Sequence, residues 1–187
     1  MTWNNWNDLE ENNGLYARYG VRGIPHFVLI SPEGKVVDSW SGYAKGWLKL
    51  KIKGSMAPKQ PMRIEWKDGH KVVHHPRKKT EKMEVLTIRQ VELTDSATVL
   101  RVHARYIPNY WIRLDKATFL MSDKGVNYPL LRSEGFAIDE QVFMPDSGEM
   151  DFTLYFAPLP KDTRWFDFSE GEHVEGGYYI EGIRLTE

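Results

Sequence analysis

The chain has 187 residues, enough for one large domain or two small ones, and its 41% hydrophobic and 13% aromatic content can fill a real core. With 25 basic against 26 acidic residues the formal net charge is -1, which argues against the strong basic bias of an electrostatic nucleic-acid footprint. The cysteine count is zero, so no thiolate exists for redox or nucleophilic work, and no apolar run approaches the roughly 18 residues that cross a bilayer as a helix.

In chain order, Trp3, Trp6, Leu9, Leu15 and Tyr16 fall roughly on one helical face, interrupted by Asn12-Asn13-Gly14, and predict a helix that ends before Gly20. A Gly23-Ile24-Pro25 corner then opens onto the apolar run Phe27–Ile30. Ser31-Pro32-Glu33-Gly34 turns the chain into a second β-branched run at Val36-Val37. This predicts a β-hairpin, with a last helix closing at Trp47–Ile52. A continuous apolar run such as Phe27–Ile30 marks a strand covered on both faces. An isolated hairpin is marginal in water, so the cover comes from the rest of this chain, from a second copy of it in a homodimer, or from a segment of a longer parent protein.

Residues 54–61 carry Gly54, Ser55, Pro58 and Pro61 without apolar periodicity and read as a linker. That places one domain at residues 1–53 and another at 62–187. From Met62 the pattern changes to short alternating runs: Met62–Trp66, Lys71–His74, Met83–Leu93, Thr98–Tyr106, Trp111–Leu114, Phe119–Ser122, Asn127–Leu130, Met150–Phe156, Arg164–Phe168 and Tyr178–Leu185. Turn signals such as Asp68-Gly69, Asp95-Ser96 and Lys124-Gly125 separate them. Many short strands with no helical period predict an antiparallel sandwich or barrel. Alternation sets Arg101, His103 and Arg105 on a polar face and Leu100, Val102 and Ala104 on a core face. Phe152, Leu154 and Phe156 repeat the core pattern.

The run Tyr19-Gly20-Val21-Arg22-Gly23-Ile24-Pro25, the strand behind it, the glycine turn, Val36-Val37 and Ser41-Gly42-Tyr43 together resemble the cis-proline half of the thioredoxin fold. The form is that of extracytoplasmic thiol-disulfide oxidoreductases of the TlpA/ResA type. The resemblance implies a cis Ile24–Pro25 bond, an extracytoplasmic location, and a Cys-x-x-Cys helix that this chain does not carry. The second part resembles an immunoglobulin-like sandwich attached to thioredoxin-family proteins of Bacteroidetes. The residues that carry this are Pro108-x-x-Trp111-Ile112-Arg113, Gly125-x-x-Tyr128-Pro129-Leu130, Met144-Pro145-x-Ser147-Gly148, Phe152-x-Leu154-x-Phe156-x-Pro158-Leu159-Pro160 and Ile180-x-Gly182-Ile183. The opening residues lack a signal peptide's basic and apolar regions, so an export signal is expected in a longer parent.

Candidate site residues follow from both parts. In thioredoxin folds the cis-proline loop presents backbone groups to an extended substrate, which points to Ile24, Pro25 and His26; the bland alternative is a structural corner. Tyr110 and Trp111, with Tyr106 and Phe119 nearby, form a candidate aromatic platform for a peptide or a sugar. Since aromatics also dominate sandwich cores, Trp111 is read as core and Tyr110 as partly exposed. His70, His74 and His75 do not suit a metal site, because adjacent strand residues point to opposite faces. Asp167, Glu170, Glu172 and Glu175 crowd one stretch and are read as turn-capping or solvated carboxylates rather than a hydrolytic pair. No cofactor is implied.

The sequence therefore reads as a redox-inactive, cysteine-free C-terminal portion of a TlpA-like protein. Its β-sandwich serves a structural or protein-binding role, with an extended peptide or a parent-protein segment as partner. A stand-alone extracytoplasmic ligand-binding or adhesion sandwich is the alternative.

Overall fold

The computed structural model describes residues 14–79, 85–171 and 177–187. The chain divides into two compact units, Met1–Met56 and Ala57–Glu187. No helix among the described residues is long and apolar enough to cross a membrane.

The first unit contains α1 (Leu15–Arg18), the antiparallel hairpin β1 (His26–Ile30) and β2 (Val36–Ser41), and α2 (Trp47–Met56). Most of the helix expected over Trp3–Tyr19 lies outside the described residues. The Ile24–Pro25 bond is cis, as the resemblance implies. Phe27 and Trp40 are cross-strand partners and stack with centroids 5.4 Å apart. The Lys51 ammonium reaches over the Trp40 and Trp47 rings and pairs with Asp38 at 3.0 Å. Helix α2 runs on through Gly54, Ser55 and Met56, which the sequence reading gives to the linker. It stops there because Pro58 disfavours helical backbone at the residue before it.

The second unit is all β. Its strands are β3 (Arg63–Lys67), β4 (His70–His74), β5 (Leu86–Leu93), β6 (Thr98–Arg105), β7 (Trp111–Ile112), β8 (Phe119–Ser122), β9 (Asn127–Glu134), β10 (Val142–Phe143), β11 (Glu149–Phe156), β12 (Trp165–Ser169) and β13 (Tyr179–Arg184). Nine of them form one antiparallel sheet in the order β13-β12-β8-β9-β11-β6-β5-β4-β3, and β7 and β10 form a separate two-stranded ribbon. Local chemistry sets the hairpins. Asp68 and Gly69 both take positive φ, 51° and 80°, as a two-residue hairpin turn requires, and Lys67 pairs with His70 across it.

The sheet curls. In its strand order β11 and β12 lie three steps apart, about 14 Å in a flat sheet, yet Phe156 of β11 and Phe168 of β12 meet edge to face with centroids 6.1 Å apart. Strand β9 makes the bend. Asn127, Tyr128 and Pro129 pair with β8, whereas Leu130 and Arg132–Glu134 pair with β11. One core therefore collects Leu100, Val102, Leu154, Phe156, Phe166 and Ile183 from strands far apart in the order. Each such side chain contributes about 1.5–3 kcal/mol of burial.

A strap ties β13, one edge of this half-barrel, to β5. After β4 the His75 N–H bonds to Arg89 O at 2.7 Å on the β5 side. Farther on, the Lys79 N–H bonds to Glu181 O at 3.0 Å, and Arg184 N–H to Arg77 O at 2.8 Å, on the outer edge of β13. Residues 75–79 thus cross from β5 to β13 and satisfy backbone groups that an open sheet edge leaves unpaired.

Candidate functional site

The predicted cis-proline loop is open to solvent: Ile24 is 82% exposed and Pro25 is exposed. His26 is held by its own hairpin, with Nδ1 at 2.8 Å from Ser41 Oγ, while Gly42 N–H donates to Pro25 O at 2.8 Å. The His26 Nε2 is buried and makes no hydrogen bond among the described residues. These groups form an accessible corner. The chain has no cysteine to oppose it and cannot itself carry out thiol-disulfide exchange.

The second predicted pair, Tyr110 and Trp111, stands differently from expectation. Trp111 is not core: it is 41% exposed. The reason is parity. Ile112 and Leu114 are buried at 2% and 0%, so Trp111 and Arg113, on alternate positions, face out. Across the ribbon Trp111 pairs with Phe143, which is 63% exposed, while Ile112 pairs with Val142, which packs on the core. Directly opposed residues share a face, so Trp111 and Phe143 stand side by side and point outward.

Tyr110, 56% exposed, flanks this pair and meets Tyr106 edge to face at 6.3 Å. The ribbon is anchored by Met144 N–H to Tyr110 O at 2.7 Å and Asn109 N–H to Met144 O at 3.2 Å. The turn before it places Asn109 at a positive φ of 63° behind Pro108, a combination suited to a tight turn, and Asn109 Nδ2 donates to Asp146 at 3.0 Å. The result is a hydrogen-bonded mount for three exposed aromatic rings. Phe143 escaped the sequence reading because β10 is only two residues long. The alternation of Val142 and Met144 as inward neighbours was the available signal.

The described carboxylates of the crowded acidic stretch, Asp167 and Glu170, have structural partners. Asp167, buried, accepts from Gly182 N–H at 2.7 Å and from Tyr179 OH at 2.8 Å. Glu170, also buried, accepts from Asp115 N–H at 3.1 Å and Tyr178 N–H at 2.9 Å. Glu172 and Glu175 lie outside the described residues. Burial first, then the Asp167 hydrogen bond, pushes the Tyr179 hydroxyl up to about 12, and burial with the Glu170 charge does the same to Tyr178.

On the outer face, charges pair across strands. Arg105 bonds to Glu149 at 2.7 and 2.9 Å, and Asp151 holds His103 at 2.8 Å and Arg89 at 3.1 Å. Of the three neighbouring histidines, His74 binds Glu65 at 2.7 Å, and this bond holds the Glu65 carboxyl below its ordinary range. No three metal-ligating side chains converge among the described residues.

A cleft of about 730 Å3 opens where the strap meets β13, and the sequence reading did not foresee it. Its walls include Arg77 and Lys79 of the strap, Lys59, Trp165, Glu181 and Arg184. The basic run Arg77-Lys78-Lys79 was visible in the sequence, but its place beside β13 depends on closure of the sheet.

No protein-family model, curated protein or solved structure matches the chain.

Proposed function

We propose that the chain is a redox-inactive binding module whose all-β unit captures an extended peptide segment on the β7–β10 ribbon. The observation that carries this is the outward, side-by-side pairing of Trp111 with Phe143, with Tyr110 beside them. Large aromatic side chains held rigidly in water lose little entropy on binding and dominate the energetics of protein recognition. A sandwich core gains nothing from exposing them.

The finer reading extends the resemblances. The order of helix, hairpin and helix in the first unit supports a relationship to the cis-proline half of a TlpA-like fold. The antiparallel strands of the second support an immunoglobulin-like accessory domain. On that reading the protein acts outside the cytoplasm, Ile24, Pro25 and His26 present backbone groups to a second extended segment, and the partner is a protein.

The test is selection of a displayed random decapeptide library on the full chain, followed by titration of the consensus peptide. The expected result is a consensus whose affinity falls at least about tenfold in Trp111→Ala/Phe143→Ala at an unchanged melting temperature. Failure to enrich a consensus overturns the proposal, as does equal binding by the double variant. A panel of soluble polysaccharides run in parallel overturns it in favour of a sugar if that binding, and not peptide binding, is lost in the variant.

A further inference from the structure

We propose that the cleft between the strap and β13 binds a small amphiphilic anion, its oxyanion head held by Arg77 and Arg184 and its apolar body lying on Trp165 and Pro76. This site is separate from the aromatic ribbon.

The strap brings the two arginines together. The Arg184 N–H donates to Arg77 O at 2.8 Å, so the two side chains leave neighbouring backbone segments at one rung, and both line the cleft. Among the described residues neither guanidinium is paired with a carboxylate. The two carboxylates of the described lining are engaged elsewhere: Asp167 by Gly182 N–H and Tyr179 OH, Glu181 by Lys79. With both of these acids engaged, the two guanidinium groups carry the positive charge offered to the cleft. Guanidinium groups present forked donors that match the oxygens of a carboxylate or phosphate.

Charge alone does not account for the cleft. Trp165 keeps 36% of its surface exposed and shares the lining with Ile88 and Pro76. A volume of about 730 Å3 falls in the range of small-molecule sites and far exceeds the needs of a bare oxyanion. An apolar body attached to the anion fills the remainder and covers the indole.

The experiment is calorimetric titration of the full chain with octanoate, octyl phosphate, octanol and inorganic phosphate. Saturable one-to-one binding of octanoate or octyl phosphate is expected, with the stronger of the two identifying the head group. Octanol and inorganic phosphate are expected to bind at least about tenfold more weakly, since each lacks half of the recognised chemistry. Arg77→Ala/Arg184→Ala is expected to weaken binding about tenfold or more, with its melting temperature preserved because the backbone bond between the two positions does not use the side chains.

Raising the salt concentration is expected to weaken binding to the unaltered chain, which keeps the test decisive even if the double variant fails to fold. Trp111→Ala/Phe143→Ala is expected to bind the anion normally, so failure here and failure of the peptide reading are told apart. The proposal is overturned if neither anion binds saturably, if octanol binds as well as octanoate, or if binding ignores both salt and the folded double variant.

Discussion

The Asp167 carboxylate accepts the backbone N–H of Gly182 at 2.7 Å, at the point where β12 and β13 slip register between Phe166 and Phe168. Phe166 pairs with Ile183 and Phe168 with Ile180, so Asp167 alone faces both Glu181 and Gly182. That is a β-bulge, and its unpaired N–H is satisfied by a side chain of the opposite strand. Gly182 takes a φ of +65°, and a Cβ there would stand 3.2 Å from the Cβ of Lys79 in the strap.

Replacing Asp167 with alanine is expected to cost about 2–3 kcal/mol, because it strands the Gly182 N–H and the Tyr179 hydroxyl beside a buried position. Asp167→Asn, which keeps one acceptor oxygen, should lose less. Urea unfolding of the three proteins measures the ranking, and an unchanged midpoint for Asp167→Ala contradicts it.

Gly182→Ala is expected to destabilise by at least about 1 kcal/mol through the left-handed backbone alone, with crowding against Lys79 added to that. Glycine at the neighbouring Glu181 position should have a different effect, since it leaves the bulge geometry intact. Parallel denaturation curves separate the two.

Phe156→Ala and Phe168→Ala are each expected to cost about 3–5 kcal/mol, as both rings are buried in the single core. The edge-to-face contact predicts that the double variant loses less than the sum of the singles, by about 0.5–1.5 kcal/mol. Strict additivity in a double-mutant cycle contradicts the contact and, with it, the curl that brings the strands together.

Much of this fold could be read from alternation. Leu100, Val102, Ala104, Phe152, Leu154 and Phe156 are all core, as their period of two requires, and the Asp68-Gly69 turn lies where its residues place it. Strand β9 extends to Glu134, four residues past the expected Leu130, because Leu131–Glu134 are mostly exposed and carry no inward face to read. Strap and cleft were invisible for a different reason. A basic run with no apolar partner says nothing locally about a strand that pairs with it from the far end of the chain. Trp111 faces out because its parity, opposite to that of the buried Ile112 and Leu114, outweighs the preference of its residue type for a core.

Alkaline titration is expected to show Tyr178 and Tyr179 ionising late. Tyr178 and Tyr179 are raised to about 12 in the folded chain, against about 10 when unfolded. Their folded form binds the proton more tightly, so this contribution to stability is fully present below pH about 10 and is lost as pH rises toward 12. Absorbance of tyrosinate against pH reads the two groups directly, and Tyr179→Phe should remove one of them.

Hydrogen exchange is expected to differ sharply between the units. Leu50 is the one buried apolar side chain among the described residues of the first, whereas β5, β6 and β11 lie inside the large sheet of the second. Amides of the β1–β2 hairpin should exchange at least about 100-fold faster than those of β6. Equal protection contradicts this and means that the hairpin is covered far better than its exposed surface indicates.

The strap also sets a pace. The Lys79–Glu181 link spans 102 residues of chain, so forming the seam closes a loop that holds most of the unit. Contacts this remote in sequence must overcome loop entropy before they return any stabilisation, and domains dominated by them fold over milliseconds to seconds rather than microseconds. Until Arg77 and Arg184 meet, the outer edge of β13 remains an unpaired template for another chain. Seating of the strap thus withdraws from solution an edge at which a second copy could add a strand.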